Sequence, residues 1–370
     1  MSEYLLIDTE GNEHSLGSSN LLSGVEHGWV MSQTIQRFGN QRDIDTFFYN
    51  CQTKESVAFP IAGNYPFRFE GHLKVVHTPF NAGGSSSTGL WDIVRTCPIL
   101  DNSYKDIFVL QEDEETFTVI DKNNHLQFRR SGDKLVRDCG LLDGKYLVLR
   151  DEQPSLVVYQ KLNKKNRCYC IDLRSGMRHG PEFTCIGELS EGIRHVRLLD
   201  GKDYIVDKDW TILYELPLGV HIGGGGFERI ESDVRCRNGL ISVIGEKTSY
   251  LINQDGEMVI GPRKHRYIHN VGASRLLVSK GRELALADSL GNLITDFIYK
   301  SSSVLNAGGS INDCDNYFAE NRLFVVKKHG RDLKFGCLDA DGREVIPFVY
   351  DMVEVPKTFS FGYATVRYDE

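Results

Sequence analysis

The sequence predicts an all-β fold, a β-propeller of roughly seven to nine blades, from three observations. A short phrase recurs: an apolar run, an Asp or Asn, a turn with Gly or Asn, then another apolar run. It appears as Tyr4-Leu-Leu-Ile-Asp8-Thr-Glu-Gly11, Phe117-Thr-Val-Ile-Asp121-Lys-Asn-Asn124 and Cys168-Tyr-Cys-Ile-Asp172-Leu-Arg-Ser-Gly176. It returns as Tyr204-Ile-Val-Asp207-Lys-Asp-Trp210, Tyr250-Leu-Ile-Asn253-Gln-Asp-Gly256, Leu286-Ala-Asp288-Ser-Leu-Gly291 and Cys337-Leu-Asp339-Ala-Asp-Gly342, with weaker copies at Phe48-Tyr-Asn50 and Trp91-Asp92. These anchors stand 29 to 51 residues apart, a propeller-like period. Finally, the count from Asp339 through the C-terminus back to Asp8 is 39, so the two chain ends together make one more unit of ordinary length.

Each phrase has a local physical reason. Alternating apolar residues line one face of a strand, the Asx side chain bonds backbone N–H groups just ahead of it, and Gly accepts positive φ. Thirty-six glycines against ten prolines fit many tight turns between short strands. A second run precedes most copies and is expected to pair beside it: Tyr146-Leu-Val-Leu, Val196-Arg-Leu-Leu, Leu240-Ile-Ser-Val-Ile, Arg275-Leu-Leu-Val and Leu323-Phe-Val-Val. Nine full four-stranded blades would be unusual, so some units are expected to be three-stranded or merged. The chain begins mid-phrase at Tyr4 and ends on a lone strand, 362–368, which is expected to pair with the N-terminal unit and close the ring. Helical periodicity is weak, and no Pro/Ser-rich linker divides the chain, so 1–370 reads as a single propeller domain. Asn81-Ala-Gly-Gly-Ser-Ser-Ser-Thr-Gly89 and Leu305-Asn-Ala-Gly-Gly-Ser310 read as long loops.

The last complete unit runs Lys334-Phe-Gly-Cys-Leu-Asp-Ala-Asp-Gly-Arg-Glu-Val-Ile-Pro-Phe-Val-Tyr-Asp351, then Phe361-Gly-Tyr-Ala-Thr-Val366. Over 334–366 it resembles the bacterial WG-repeat family. Phe335-Gly336 stands where that repeat has Trp-Gly, while Asp339, Gly342, Val345-Ile346-Pro347 and Tyr350-Asp351 match. Elsewhere the match is degenerate, and the chain has no Trp-Gly dipeptide. The resemblance implies a bacterial all-β repeat protein used for binding, and a toxin-neutralising (immunity) or defence-system role. It carries over no catalytic residues, because the motif positions are turns and core apolars.

The chemistry-bearing motifs each fit a plain structural role better than a catalytic one. His221-Ile-Gly-Gly-Gly-Gly226-Phe is similar to an esterase oxyanion loop, but no Gly-x-Ser-x-Gly elbow accompanies it. Gly83-Gly-Ser-Ser-Ser-Thr-Gly89 is followed by Leu90-Trp91 in place of the Lys-Ser/Thr of a phosphate cradle. There is no Cys-x-x-Cys and no His-Glu-x-x-His. Cys168 and Cys170 are expected to share one strand face as core thiols, His265 and His269 to lie in a solvated basic loop, and the three tryptophans to fill core. The reading is therefore no catalytic residues, no metal site and no cofactor.

Composition narrows the function class. Hydrophobic residues at 41% and charged residues at 25% are globular, and a net charge of −8 argues against default binding to nucleic acid or an anionic membrane. No apolar run approaches a membrane span, no signal-peptide pattern opens the chain, and nine scattered cysteines fit a reducing compartment, so a cytoplasmic location is expected. The expected function is non-catalytic protein binding, with Phe80 and Asn81 beside one loop and His221 and Phe227 around the glycine run as partner-contacting residues. The competing class is a carbohydrate-active or other hydrolytic enzyme with its site at the propeller's central opening.

Overall fold

A computed structural model describes residues 2–369 apart from 17–20, 39–40, 60–66, 71–72, 78–86, 110–115, 150–154, 163–164, 218–230, 233, 235, 245–247, 265–267, 282, 301–316, 331 and 355–358. Among the described residues every regular element is a β-strand and there is no helix. The sheets are antiparallel meanders, mostly of four strands. The chain divides into two compact units, Met1–Asp138 with Tyr299–Glu370, and Cys139–Ile298.

In the first unit, one sheet holds both chain ends. Its order is Glu13–His14, Ser2–Asp8, Tyr363–Asp369 and Met352–Val353. The expected partner of the N-terminal strand is thus the C-terminal one, in an unbroken ladder from Ser2↔Asp369 to Asp8↔Tyr363. The sheets Leu21–Leu22, Trp29–Phe38, Gln41–Asn50, Ser56–Phe59 and Phe67–Glu70, Leu73–His77, Thr88–Asp92, Cys97–Tyr104 follow, and then a sheet including Asp106–Val109, Thr116–Ile120 and His125–Arg130. The run Tyr299–Lys300, Leu323–His329, Asp332–Leu338, Glu344–Tyr350 precedes the end-joining sheet.

Glu344–Tyr350 shows how the sequence dictates its place. Ile346, Phe348 and Tyr350 point into the core while Pro347 and Val349 point out. Proline supplies no N–H, and it sits here on an outermost strand, where none is needed. Gly336 opposite is held to glycine by packing: a Cβ there would lie 2.7 Å from the Phe348 ring. The core between these strands and the end-joining sheet is Leu5, Ile7, Phe335, Cys337, Tyr350 and Val366 with their neighbours.

In the second unit, Lys145–Leu149, Ser155–Leu162, Lys165–Asp172 and Arg178–Gly187 lead without a break into Ile193–Leu198, Asp203–Asp207 and Ile212–Glu215. Two units are merged because one ten-residue strand, Arg178–Gly187, pairs on both sides. Its last residues also take Glu231–Ser232 in parallel. Cys236–Arg237, Leu240–Ile244, Thr248–Asn253 and Met258–Lys264 form the next sheet, and Ile268–Gly272, Arg275–Lys280 and Glu283–Asp288 follow.

Val196, Leu240, Arg275 and Leu323 begin or lie in strands that pair directly with the recurring phrase, as expected. Tyr146–Leu149 does not. It pairs with Ser155–Leu162, which in turn pairs with the phrase strand Lys165–Asp172, so one strand intervenes. Cys168 and Cys170 are fully buried, as expected, while Cys97 is exposed and Cys139 half-exposed. His269 belongs to the strand Ile268–Gly272 with its Nε2 sealed from solvent, so it is no part of a solvated loop, while His265 lies outside the described residues.

Candidate functional site

All nine Asx anchors make the turn their sequence predicts. Asp8 Oδ1 accepts the N–H groups of Glu10 (3.1 Å) and Asn12 (2.8 Å), and Asp339 Oδ1 those of Asp341 and Arg343 (2.9 Å each). Asp121, Asp207, Asn253 and Asp288 repeat this two-and-four pattern. Asn50, Asp92 and Asp172 make a longer variant that takes the N–H three residues on. The positive-φ residue lies three positions after the Asx in the first group (Gly11, Asn124, Trp210, Gly256, Gly291, Gly342) and four after it in the second (Lys54, Thr96, Gly176).

A second turn shares the same end of the sheet. His27-Gly28, Glu191-Gly192, Glu320-Asn321 and Phe361-Gly362 each place two successive residues at positive φ between a bridged pair, the hairpin geometry that leads straight into the next strand. Asp8 stands opposite Tyr363 and Asn50 opposite Trp29 in the first unit, as Asp207 stands opposite Ile193 and Asn253 opposite Leu240 in the second. These turns are linked in series. Glu320 accepts the Gly362 N–H (2.9 Å), and the Phe361 ring covers Gly28, where a Cβ would be 3.3 Å away. Glu191 accepts the N–H groups of Asn238 (2.6 Å) and Gly239 (2.8 Å), and against the upward push of burial these bonds hold its carboxyl below the usual range.

In the first unit this end gathers a cluster of titratable groups. Lys54 Nζ donates to the Tyr363 hydroxyl (2.5 Å) and lies 4.0 Å from that ring's centre. The His14 ring meets the Tyr363 ring edge-on at 5.5 Å, and His14 Nε2 lies 3.2 Å from Asp8 Oδ2. Burial works to lower the Lys54 ammonium, but the Tyr363 hydroxyl outweighs it and the pKa is raised. Burial pushes Tyr49 up, and the Cys51 thiol up to about 11. Asp8 is held low: burial pushes upward, but the bonds from Asn12, His14 and Glu10 win.

In the second unit the polar groups turn inward. Trp210 Nε1 donates to His179 Nδ1 (3.0 Å), so His179 carries its proton on Nε2, facing Ser155 Oγ at 3.3 Å. In that tautomer Ser155 accepts a proton bond and cannot be activated as a nucleophile by this histidine. His195, fully buried, has Nε2 2.9 Å from Asp203 Oδ1, and Arg197 clamps both Asp203 oxygens at 2.8 and 3.0 Å. Burial holds His195 below its ordinary pKa against the pull of Asp203, which keeps it neutral with Nε2–H donated to the carboxylate. Both networks tie strands together.

Phe80, Asn81, His221 and Phe227 all lie outside the described residues. Sequence alone does not show the Lys54 cluster: Asp8, His14 and Tyr363 come together through strand register, and Lys54 reaches them from a turn of another sheet. Among the described residues no three metal-ligating side chains gather at one point.

No protein-family model matches the chain, and no curated protein matches it. Solved structures do. A crystal structure of the eukaryotic initiation factor is similar over 93% of this chain and 94% of its own, with TM-score 0.57 and 10% identity. Apo AztD from Citrobacter koseri is similar over 93% and 94%, with TM-score 0.40 and 12% identity. The beta-propeller domain of the Trilobed protease from Pyrococcus furiosus, described as having an open velcro topology, covers 73% of this chain and 95% of its own, with TM-score 0.37 and 13% identity. At these identities the likeness concerns fold alone.

Proposed function

We propose that the chain is a β-propeller, closed through Tyr363–Asp369 and Ser2–Asp8, that acts as a non-catalytic protein-binding subunit in the cytoplasm. Nine Asx turns at propeller-like spacing and the end-to-end ladder support a propeller of roughly seven to nine blades. One observation carries the binding role. In each unit the turns at one sheet end have a backbone locked by side-chain caps, while the residues they display differ from turn to turn: Thr9-Glu10, Gln52-Thr53, Lys122-Asn123, Lys208-Asp209, Ser289-Leu290. A rigid frame with varied tips suits recognition of a protein surface. An immunity or defence role is the narrower form of this reading, resting on the likeness of residues 334–366 to WG repeats.

The test is affinity capture from the native host with wild-type protein and with a variant altered at Glu10, Lys54 and Lys122. A stoichiometric partner retained by wild type and lost by the variant is expected. Recovery of no stoichiometric partner, or equal recovery by both proteins, would reject the reading.

A further inference from the structure

We propose that Lys54 Nζ and the Tyr363 hydroxyl form a two-donor seat for a side-chain carboxylate, the part of an acidic partner segment that this end of the first unit recognises. The inference rests on the protein-binding reading and names the chemistry of one contact. Arg129, Arg167, Arg178, Arg197, Lys202 and Lys334 each meet a carboxylate of this chain. Lys54 meets a phenol and an aromatic face, and the groups that act on its charge are Tyr363, Tyr49 and Cys51, with no Asp or Glu among them.

Its position is fixed from below. Lys54 sits at φ +64 in the Asn50 turn, and its N–H donates to the Asn50 carbonyl (2.9 Å). Tyr363 is held by the bridge to Ser360 and by the ladder to Asp8. Because the phenol oxygen accepts the lysine proton, its own O–H is free to point outward, and the ammonium keeps two further N–H donors. The two donor atoms are 2.5 Å apart, a spacing that suits the two oxygens of one carboxylate. His14 walls one side of Tyr363 while its Nε2 is engaged by Asp8, whose charge is taken up by its own turn. Lys54 is exposed and Tyr363 half-buried, so an incoming side chain can reach both.

The experiment titrates the full chain, tyrosine-labelled for NMR, with hexaglutamate and in parallel with inorganic phosphate. A saturating shift at Tyr363 with hexaglutamate is expected, weakened at least about tenfold by Lys54→Asn, since a hydrogen bond to a charged group is worth that much. Asn accepts positive φ, so this variant keeps the turn. Tyr363→Phe keeps the ring and should weaken binding less, and Lys134→Gln, which alters an exposed lysine on the strand Lys134–Leu141, should leave it unchanged. No saturable shift, an unaltered titration in Lys54→Asn, or saturation by phosphate but not hexaglutamate would each overturn the seat. If hexaglutamate binds as expected and the host yields no partner, the protein-binding reading falls and the seat stands. If a partner is captured and hexaglutamate is inert, the reverse holds.

Discussion

At Gly256 and at Trp210 the same junction is built with the sizes exchanged. In the Asn253 turn the positive-φ position is glycine, and the Tyr214 ring of the neighbouring outer strand lies against it, 3.0 Å from where a Cβ would be. Gly291 meets Ile260 and Gly11 meets Ile346 in the same way. In the Asp207 turn the position is Trp210 at φ +67, and the neighbouring strand supplies the glycine: a Cβ on Gly180 would lie 2.3 Å from Trp210 Cε2. A bulky residue in the left-handed region costs about 1–3 kcal/mol unless its surroundings impose it. Here they do, through the stack on Phe183 (6.0 Å between centres), the bond to His179 and the Arg194 guanidinium 5.1 Å from the ring. What the junction requires is therefore one large and one absent side chain, not a glycine in the turn.

The strongest way to break this comparison is Gly180→Ala. It places a Cβ inside the indole's space at a position whose φ of +72 already disfavours alanine, so a loss of about 3 kcal/mol or more is expected in denaturant unfolding. The pair Trp210→Gly with Gly180→Tyr exchanges the two sizes, as at Gly256, while the φ of +72 at position 180 leaves a backbone cost on the tyrosine. The pair should be markedly more stable than the sum of the single changes predicts, a coupling read by a double-mutant cycle. Strict additivity would show that the sizes do not compensate.

Two histidines of the same unit differ in their partners. His179 has both ring nitrogens engaged, by Trp210 and Ser155. His269 has its Nε2 sealed from solvent with no partner. Burial, with the Arg237 cation adding to it, lowers His269 to about 4. Between about 6.5 and 4 the unfolded chain then binds the extra proton. Stability is full above that window and falls through it as pH drops, by about 3 kcal/mol, with no further loss from this residue below pH 4. His269→Gln should flatten that part of the stability profile; an unchanged profile would exclude His269 as its source.

Gly256→Ala comes next, at about 2 kcal/mol. Roughly half reflects the positive φ and half the crowding by Tyr214. Tyr214→Ala in the same chain should leave Gly256→Ala with the φ cost only, about 1 kcal/mol, which separates the two contributions by thermal or chemical unfolding.

These junctions also mark where the sequence stops being legible. The Asx turns could be read at all nine positions because each bond spans at most four residues, so the whole device lies inside one phrase. The pairing of 362–368 with the N-terminal strand was legible for a related reason: the missing and surplus strands were visible at the two ends. Trp210 and Gly180 are thirty residues apart, and nothing local to either shows that one fills the other's gap. The sequence points to Tyr146–Leu149 as the partner of the Cys168 phrase because the two strands that pair directly, Ser155–Leu162 and Lys165–Asp172, have no Asx-Gly phrase between them. The Lys54 cluster depends on the register of three strands, which alternation constrains to a face but not to a neighbour, and on a turn of another sheet that brings Lys54 to them.

The smallest effect separates what the Asx side chain supplies from what its charge supplies. Asp288 and Asn253 cap the same turn with the same two backbone bonds, at 2.9 and 2.8 Å in the first and 3.1 and 2.8 Å in the second. Asp288→Ala should therefore cost about 1 kcal/mol, the worth of such a cap, while Asp288→Asn should stay within about 0.5 kcal/mol of wild type near neutral pH. The two should diverge only in acid. The Asn292 side chain first, then the Asn292 and Leu290 N–H groups, hold Asp288 below the usual carboxylate range, so its contribution is present above that range and is lost as pH falls through the lowered value. Asp288→Asn removes that loss because an amide does not titrate, just as Asn253 in the natural sequence has none to lose. If Asp288→Asn destabilised the protein at neutral pH as much as Asp288→Ala, the charge and not the acceptor geometry would be holding the turn, and the equivalence of the nine anchors would fail.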